Sequence, residues 1–346
     1  MRFTQKEFSR EEWADIVSKF ADLSLLQCWE YGAAKSVDGW RAERGLIIDG
    51  GKTLGAAQVM IRNLPIVGGG LAWVSRGPLW RPHGEAGSAM LFGSIHAALR
   101  RHYVDELGYY LRMAPAVEES KAASASLTSC GFTVSETPGW ASAVLDLTQG
   151  DGALRQELRP NWRNKLNKAE RHDIRVEQGS DWKIFDGLVD EYRTFMAGRG
   201  FTTTVTPAFL SALQAGFSEG RRMKCFRASH EGAPLGSVLI AYYGDTAEYL
   251  IGTLLDAGRA FNVGQLLVWQ AIRDCRESGV MRFDVSGMDP ELTPKGVYDF
   301  KQGLGGRPYR LMNEVEAHDG GWRSRLVRWR VARMRRAGEK AGSDRQ

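Results

Sequence analysis

Two distant segments of the chain carry the same residue pattern, and this internal repeat restricts the fold more than any other feature. Residues 46–61 read LIIDGGKTLGAAQVMI, and residues 226–241 read FRASHEGAPLGSVLIA. Each contains an apolar run, an acidic residue followed by glycine, a Leu-Gly pair and a second apolar run. An acidic-Gly turn between two such runs predicts a β-hairpin. The Leu-Gly pair indicates a strand whose backbone another part of the protein approaches closely.

The repeat continues in the same order after each hairpin. Residues 87–103 have a helical pattern and lead through Gly108 into a strand, and residues 264–277 lead in the same way through Gly279 into another. Both halves therefore predict a hairpin, a helix and a strand, which is the order of elements in the folds of GCN5-related acetyltransferases. We predict an α/β protein with mixed sheets, built from two tandem acetyltransferase-like domains.

Length and composition agree with two full-sized domains. The chain has 346 residues, of which 43% are hydrophobic and 25% charged, as in ordinary globular proteins. Turn residues between 146 and 152 mark the boundary. We therefore assign residues 1–147 to the first domain, completed by 309–346, and residues 148–308 to the second.

The cysteines and the apolar segments predict the compartment. The four cysteines form no closely spaced pair, which indicates reduced thiols. The sequence contains no apolar segment of the kind that forms a signal peptide or a membrane span. We therefore expect a cytoplasmic protein.

The chain has a net charge of +5 and contains two basic stretches. The first covers residues 155–175. Within it, Trp162, Leu166 and Ala169 recur at helical spacing and predict a buried face, which leaves the basic side chains facing solvent. That exposed face is either simply solvated or a stripe that binds phosphate groups of RNA or of a nucleotide precursor.

The other basic stretch covers residues 322–340 and contains seven arginines. Leu326, Trp329 and Met334 give it an incomplete apolar face, so the pattern predicts a basic amphipathic helix. Such a helix is either plainly solvated or in contact with RNA or anionic lipid, which here means peripheral contact with the inner membrane face.

A lysine in a glycine-rich segment is the strongest candidate for chemistry. Residues 296–306 read GVYDFKQGLGG, so Lys301 directly follows Phe300 and precedes three glycines. A lysine held there can act as a fixed cation that stabilises the oxyanion formed during acyl transfer. The alternative is a surface lysine at the end of a strand.

A second lysine, Lys35, ends the segment QCWEYGAAK at residues 27–35. The tryptophan and small residues of this segment suit a packed helix, and a turn follows at Asp38-Gly39. Lys35 either binds a phosphate as a point charge or is a solvated helix lysine.

Several catalytic patterns are missing from the sequence. It has no P-loop, no GxSxG and no HExxH motif, and its six histidines are scattered, which disfavours metalloenzymes and triad hydrolases. We expect no metal. Residues 258–264 read GRAFNVG where an acetyltransferase binds the pyrophosphate of coenzyme A. Only Gly264 fits the usual pattern there, which weakens coenzyme A as the acyl donor.

Four segments, taken in order, resemble motifs of the FemABX aminoacyltransferases of cell-wall synthesis. They are WEYGAAK at 29–35 followed by Gly39-Trp40, GGGLAWVSRGP at 68–78, NWRNKLNKAER at 161–171 and FKQGLGG at 300–306. The resemblance implies two acetyltransferase-like domains. It also implies transfer of an amino acid from aminoacyl-tRNA to the peptide amine of a peptidoglycan precursor, with no further cofactor.

The resemblance also implies roles for individual residues. Lys301 would stabilise the oxyanion, with Phe300 beside it. Lys35 would bind the diphosphate of a UDP-linked or lipid-linked muropeptide, and Arg199 would be a second phosphate ligand. The other implied substrate-binding residues are Tyr249, Trp29 and Arg76. Asp284 and Asp299 are candidates for a general base by location only.

Two other functions remain open on the sequence. One is an acyl-CoA-dependent N-acyltransferase of the same fold that acts on a sugar or a cell-envelope polysaccharide precursor. The other is a binding module without catalytic activity, which would contact nucleic acid or the membrane through the two basic stretches but would leave the segment around Lys301 unexplained.

Overall fold

The computed structural model describes residues 1–63, 69–85, 87–199 and 205–343. It divides into two compact units. One is Met1–Trp140 together with the chain from Arg310 onward, and the other is Ala141–Tyr309. The prediction placed these boundaries at residues 147 and 308. Each unit contains one seven-stranded mixed sheet, which confirms the predicted α/β class.

Within the described residues, the first unit is built from seven strands and five α-helices. Its strands are β1 (Arg2–Gln5), β2 (Arg41–Asp49), β3 (Lys52–Asn63), β4 (Gly70–Ser75), β5 (Tyr110–Ala114), β6 (Thr133–Val134) and, near the C-terminus, β14 (Val315–Ala317). Its helices are α1 (Arg10–Val17), α2 (Trp29–Ala34), α3 (Ala89–Arg100), α4 (Lys121–Ser129) and α12 (Trp322–Ser343). The sheet order is β1-β2-β3-β4-β5-β14-β6.

The second unit has the same number of strands. They are β7 (Ala141–Asp146), β8 (Arg175–Gly179), β9 (Lys224–His230), β10 (Ala233–Tyr243), β11 (Thr246–Leu254), β12 (Arg282–Asp284) and β13 (Arg307–Arg310). Its helices are α5 (Asp151–Glu157), α6 (Pro160–Ala169), α7 (Trp182–Arg199), α8 (Pro207–Gly216), α9 (Asp256–Ala260), α10 (Val263–Glu277) and α11 (Lys295–Gln302). The order is β8-β9-β10-β11-β12-β7-β13.

Both sheets follow one plan. In each, four antiparallel strands lead to a parallel pair, β4–β5 in the first sheet and β11–β12 in the second. The sixth strand then runs antiparallel to the second member of that pair. In the first sheet this sixth strand is β14 from the C-terminal segment, which explains why the first unit is discontinuous in sequence. In the second sheet it is β7.

Both predicted hairpins are present. The turn between β2 and β3 consists of Gly50 and Gly51, and the turn between β9 and β10 consists of Glu231 and Gly232. All four residues have positive φ angles, between 51° and 81°. Two consecutive left-handed residues match the right-handed twist of the flanking strands. The acidic-Gly signal predicts the second turn correctly, whereas the first turn was predicted at Asp49-Gly50 and lies one residue later, because Asp49 pairs with Lys52 as the last residue of β2.

The two Leu-Gly pairs mark the close backbone approach that was predicted and also a bulge in each strand, which was not predicted. Leu54 is skipped in the register of β3 with β2, and Leu235 is skipped in the register of β10 with β9. A Cβ atom on Gly55 would lie 2.7 Å from the carbonyl oxygen of Leu79. Only glycine allows the two backbones to lie this close.

Each sheet is covered by helices. In the first unit, α3 packs on one face, where Ile95 and Leu99 join a buried cluster with Leu111 of β5. Side chains alternate along a strand, so Tyr110 points to the other face, where α12 packs through Val327. In the second unit, the predicted helix at 264–277 is α10, and it covers the main buried cluster.

Helix α12 differs from its predicted amphipathic face. Among the described residues of the helix, the buried apolar side chains are Val327 and Val331, which pack against the sheet, whereas Trp329 is 56% exposed. The side chain of Met334 lies outside the described residues. Leu326 and Trp329 have helical spacing just as Val327 and Val331 do. The sequence pattern could not choose between the two faces, because the choice depends on the shape of the sheet that receives the helix.

Candidate functional site

The parallel strand pair of the second unit opens at one end. Strands β11 and β12 are paired up to Glu248 opposite Asp284. Beyond that point β12 ends, while β11 continues to Leu254. The carboxyl ends of separating parallel strands form a crevice in which ligands of α/β proteins bind. The residues that follow Glu248 and Asp284 are therefore placed at a candidate site.

The first unit has no such opening at the corresponding place in its described residues. Strands β4 and β5 stay paired to the end of β4, where Ser75 lies opposite Ala114. The two segments remain hydrogen-bonded just beyond β4, because the Gly77 amide donates to the Ala114 carbonyl at 3.2 Å. The two sheets share one order of strands, but only in the second unit do the described strands of the parallel pair separate at their carboxyl ends.

Lys301 lies at the opening of the second unit. Its side chain is 9% exposed, and Nζ donates to the Gly287 carbonyl oxygen at 2.9 Å. Nζ also lies 5.5 Å from the centroid of the Tyr249 ring. Burial lowers the pKa of Lys301 to about 8, although the carboxylates of Asp284 and Glu248 act in the opposite direction. Lys301 is thus a buried cation and not a surface lysine.

Asp284 is held by three hydrogen bonds. Its Oδ1 accepts from the Ser142 hydroxyl at 2.5 Å and from the Ser286 amide at 2.7 Å. Its Oδ2 accepts from the Tyr309 hydroxyl at 2.6 Å. Because both oxygens are engaged, the structure favours Asp284 as a fixed negative charge near Lys301 over a general base.

Glu248 is the second buried carboxylate of this network. It accepts hydrogen bonds from the Tyr243 hydroxyl at 2.9 Å and from the Ser286 hydroxyl at 3.2 Å. Ser286 adopts a positive φ of 61°, a conformation that costs energy in a residue other than glycine. The same residue therefore links both carboxylates at the end of β12.

The glycines after Lys301 allow its helix to pack closely. A Cβ atom on Gly303 would lie 2.4 Å from the Trp162 ring, and one on Gly306 would lie 2.8 Å from the Val144 carbonyl oxygen. Gly306 also has a φ of 77°. The glycine-rich segment therefore fixes the end of α11 against β7 and α6, which holds Lys301 in place.

Phe300 has a different position from the one predicted beside the reacting cation. Its ring centroid lies 5.8 Å from that of Trp162. The ring also packs beside Gly264, where an added Cβ atom would lie 3.4 Å from it. Successive helical residues point about 100° apart, so Phe300 is partly buried and packs against the core of the second unit, while Lys301 meets Tyr249. Phe300 anchors the helix, and the aromatic neighbour of the cation is Tyr249.

A second group of aromatic and charged residues lies in the first unit. Lys35 Nζ is 2.8 Å from Asp38 Oδ2 and 5.9 Å from the centroid of the Tyr31 ring. Burial raises the pKa of Tyr31 to about 12, while the charge of Arg76 acts to lower it. The guanidinium of Arg76 lies 4.1 Å from the centroid of the Trp140 ring. The structure thus groups two predicted substrate-binding residues, Lys35 and Arg76, around Tyr31.

Two buried glutamines position the segment that ends at Lys35. Gln27 Nε2 donates to the Ser75 carbonyl at 2.8 Å, and Gln27 Oε1 accepts from the Gln58 amide at 2.8 Å. In return, Gln58 Nε2 donates to the Cys28 carbonyl at 2.8 Å. These bonds tie the start of α2 to β3 and β4, and they satisfy buried polar groups that would otherwise destabilise the fold.

The comparisons with known proteins agree with this architecture. Residues 156–302 match the model of an acetyltransferase (GNAT) domain. The crystal structure of FemX matches with a TM-score of 0.80 at 16% identity, covering 94% of this chain and 99% of that chain. The chain has the tandem fold of FemX. The predicted arrangement of two acetyltransferase-like halves is therefore confirmed.

Two further structures share the FemX-like fold at greater distance. A tandem GNAT protein from the clavulanic acid pathway matches with a TM-score of 0.53 at 15% identity, over 92% of this chain and 99% of that one. The C-terminal domain of a putative lysylphosphatidylglycerol synthetase from Agrobacterium fabrum matches at 0.53 and 12%, over 94% and 97%. A comparison with the curated proteins finds no match.

The other predicted site residues have varied positions within this FemX-like fold. Trp29 is partly buried beside α1, and the Arg44 guanidinium lies 3.6 Å from its ring centroid. The side chain of Arg199 lies outside the described residues. Asp299 is an exposed residue of α11 that pairs with Lys295 at 2.8 Å, so nothing in its contacts directs it towards Lys301.

The predicted basic helix is α6, with Trp162, Leu166 and Ala169 buried as expected. Arg155, which precedes it, is held by Glu170 in an ion pair. The basic side chains left exposed on and after α6 are those of Lys165, Lys168, Arg171 and Arg175. These four cations face solvent, and the exposed carboxylates of Glu170 and Asp173 lie among them in the sequence.

Sequence reasoning missed several members of the two groups. Glu248 had a signal, because a carboxylate within the otherwise apolar strand β11 is unusual. Ser142 and Tyr309 had none, since they lie 142 and 25 residues from Asp284 and reach it only through folding. Ser286 lies two residues after Asp284, so its amide contact with that carboxylate is a local turn that its position in the sequence could have suggested. Trp140 likewise meets Arg76 across a long sequence separation.

Within the ranges that the structure describes, no three histidine, cysteine, aspartate or glutamate residues are grouped so that they could hold a metal ion. In the same ranges, no helix has the length and apolar character needed to cross a bilayer.

Proposed function

We propose that this protein is an acyltransferase that moves an amino acid from aminoacyl-tRNA to the amine of a peptidoglycan precursor peptide. The observation that carries the proposal is the buried ammonium of Lys301 at the open end of β11 and β12. The matched GNAT region at residues 156–302 includes this lysine. The FemX-like fold and the motif resemblance support the same assignment.

The chemistry needs little beyond orientation and charge. The attacking amine adds to the carbonyl carbon of the tRNA ester, and the carbonyl oxygen becomes an oxyanion. An ammonium has three N–H donors, and the Lys301 ammonium makes one hydrogen bond, to Gly287, among the described contacts. A preorganised cation in a site of low dielectric stabilises such an oxyanion strongly. Collapse of the intermediate then expels the tRNA hydroxyl, whose oxygen takes up the proton that the attacking amine loses as it becomes an amide.

Lys35 and Arg76 support a site for the diphosphate of the precursor. Two cations lie beside Tyr31 there. In addition, Nε1 of Trp140 is buried and has no hydrogen-bond partner among the described residues. A buried donor of this kind gains from an acceptor such as a phosphate oxygen. Arg199 and Trp29 remain predicted members of the precursor site.

An acyl-CoA-dependent N-acyltransferase that acts on a sugar or a polysaccharide precursor is the second candidate. The match of residues 156–302 to an acetyltransferase domain favours it. The donor distinguishes the two candidates. We expect transfer to a UDP-muropeptide from charged tRNA, whereas transfer from acetyl-CoA alone would select the second candidate.

The main test is a single-turnover transfer assay with Lys301→Met. Removing the oxyanion cation should lower the rate by about 10²–10³-fold and leave precursor binding nearly unchanged. Lys295→Met is the matched control, because Lys295 lies on the same helix but is 88% exposed. Equal rates for both variants and the wild type would remove Lys301 from the mechanism.

The diphosphate site is tested separately by calorimetry. Lys35→Ala should raise the Kd for a UDP-muropeptide by roughly tenfold, since a partly buried cation near a phosphate contributes about 1–2 kcal/mol. Lys52→Ala, at an exposed position of the same unit, should leave the Kd unchanged. An unaltered Kd in Lys35→Ala would exclude this role.

A further inference from the structure

Helix α12 is docked on the first unit by a narrow face. Val327 and Val331 are buried against Leu71 and Tyr110 of the sheet. The start of the helix is fixed by Asp319, which accepts from the Ser324 hydroxyl at 2.5 Å and from the Gly321 amide at 2.9 Å. These contacts set the rotation of the helix about its axis and so determine which side chains face away from the sheet.

Two tryptophans occupy the outward face. Trp322 is 65% exposed and Trp329 is 56% exposed. They are seven residues apart, nearly two helical turns, so both point the same way, about half a turn from Val327 and Val331. An indole has a large apolar surface and a polar N–H. Leaving two of them in water is unfavourable unless something covers them.

The tryptophans are surrounded by positive charge. The Arg323 guanidinium lies 5.5 Å from the Trp322 ring centroid, and that of Arg333 lies 5.4 Å from the Trp329 ring centroid. Arg325 and Arg330 are also exposed. The sequence between Trp322 and Arg333 contains no acidic residue. The face therefore combines interfacial aromatic rings with cations that neutralise an anionic surface.

We propose that this outward face of α12 docks on the surface of a bilayer that contains anionic lipid. Tryptophan prefers the interface between lipid and water, and arginine is attracted to anionic head groups. The two rings lie roughly 10 Å apart along one side of a straight helix, so both can enter one flat surface. Paired RNA would use the arginines, but its bases are stacked within the helix and so do not cover two outward tryptophans.

The proposal is independent of the function proposed for Lys301. It concerns attachment to a surface and requires no transfer reaction, so Lys301→Met should bind vesicles like the wild type. The two proposals are separated if Lys301→Met loses transfer but binds vesicles normally. They are also separated if an α12 variant loses vesicle binding but keeps transfer.

The test is co-sedimentation of the full chain with two kinds of vesicle. One is pure phosphatidylcholine, and the other also contains about 30% phosphatidylglycerol, which makes its surface strongly anionic. The wild type should bind the anionic vesicles, with a blue shift of tryptophan emission. Trp322→Ser with Trp329→Ser should reduce the partition coefficient at least about tenfold. Met90→Ser, at an apolar position of the same unit that is 82% exposed, should not.

Charge is tested by reversal. The double variant Arg325→Glu with Arg330→Glu should abolish binding to the anionic vesicles. The control is Lys52→Glu with Lys121→Glu, which makes the same change in net charge at exposed sites elsewhere in the unit and should bind nearly normally. Absence of vesicle binding by the wild type would overturn the proposal. So would binding that survives the tryptophan substitutions, or binding to tRNA alone that depends on the same arginines.

Discussion

Lys301 shows how the surroundings of a single residue determine its chemistry. A lysine in water has a pKa near 10.5, and burial lowers the pKa of Lys301 to about 8. Without Asp284 and Glu248 the same burial would lower it further. The two carboxylates therefore keep the ammonium charged near neutral pH, which is the state that an oxyanion requires.

Asp284→Asn tests this electrostatic role through pH. The protonated fraction of Lys301 falls as pH rises through about 8, so turnover should fall on that alkaline side. Asparagine keeps the shape of the side chain but removes the charge that raises the pKa of Lys301. The alkaline limb of the pH–rate profile should therefore move to lower pH.

The measurement is a set of single-turnover rates, corrected for spontaneous hydrolysis of the ester, in Asp284→Asn and in Asp299→Asn. The latter changes an exposed carboxylate on the helix of Lys301 and should keep the wild-type profile. A rate reduced equally at every pH in Asp284→Asn would instead identify Asp284 as the general base.

At the scale of elements, α11 depends on the glycines that follow it. Gly303 meets the Trp162 ring, and Gly306 meets the backbone of β7. Side chains at these positions would push the end of the helix away from the sheet. The glycine-rich segment is thus a packing device that places Lys301, which explains why the glycines lie after the lysine rather than around it.

Gly306→Ala measures the cost of that packing. Gly306 and Gly320 have φ angles of 77° and 80°, so alanine has the same backbone penalty at both. A Cβ would be 2.8 Å from the Val144 carbonyl oxygen at Gly306, but within 4 Å of no atom at Gly320. Gly306→Ala should therefore be less stable than Gly320→Ala by about 1–3 kcal/mol in urea unfolding. Equal losses would show that the close approach is not strained.

At the scale of the whole molecule, the order of the chain differs from the order of the sheets. Strand β14 lies between β5 and β6 in the first sheet, although it comes after the entire second unit in sequence. Its contacts include hydrogen bonds from Tyr110 to Glu316 and from Arg112 to Glu314. The first unit therefore needs the C-terminal segment to complete its sheet.

Two truncations separate the roles of β14 and α12. A chain ending at Arg310 loses β14, so the amides of β5 and β6 should exchange with solvent much faster. A chain ending at Gly320 keeps β14 and loses only α12, and it should retain most of that protection. Hydrogen exchange followed by mass spectrometry reads both regions. Equal protection in the two truncated chains would show that β14 is dispensable.

Much of the fold was determined by short-range features of the sequence. Acidic-Gly turns, Leu-Gly pairs and helical spacing predicted both hairpins, a close backbone approach in their second strands and the helices that follow them. These features act within a few residues, where turn geometry and alternation leave few choices. The same reasoning selected Lys301 and Lys35 as candidates, because their neighbours in sequence were unusual.

The tertiary structure alone decided the environment of those candidates. It buried Lys301 beside Glu248 and Asp284, placed Phe300 partly buried against the core and turned Trp329 of α12 towards solvent. Each outcome depends on residues far apart in the chain that meet only when the sheets close. A local pattern specifies which residue types recur, but charge, burial and orientation follow from the partners that folding brings within a few ångströms.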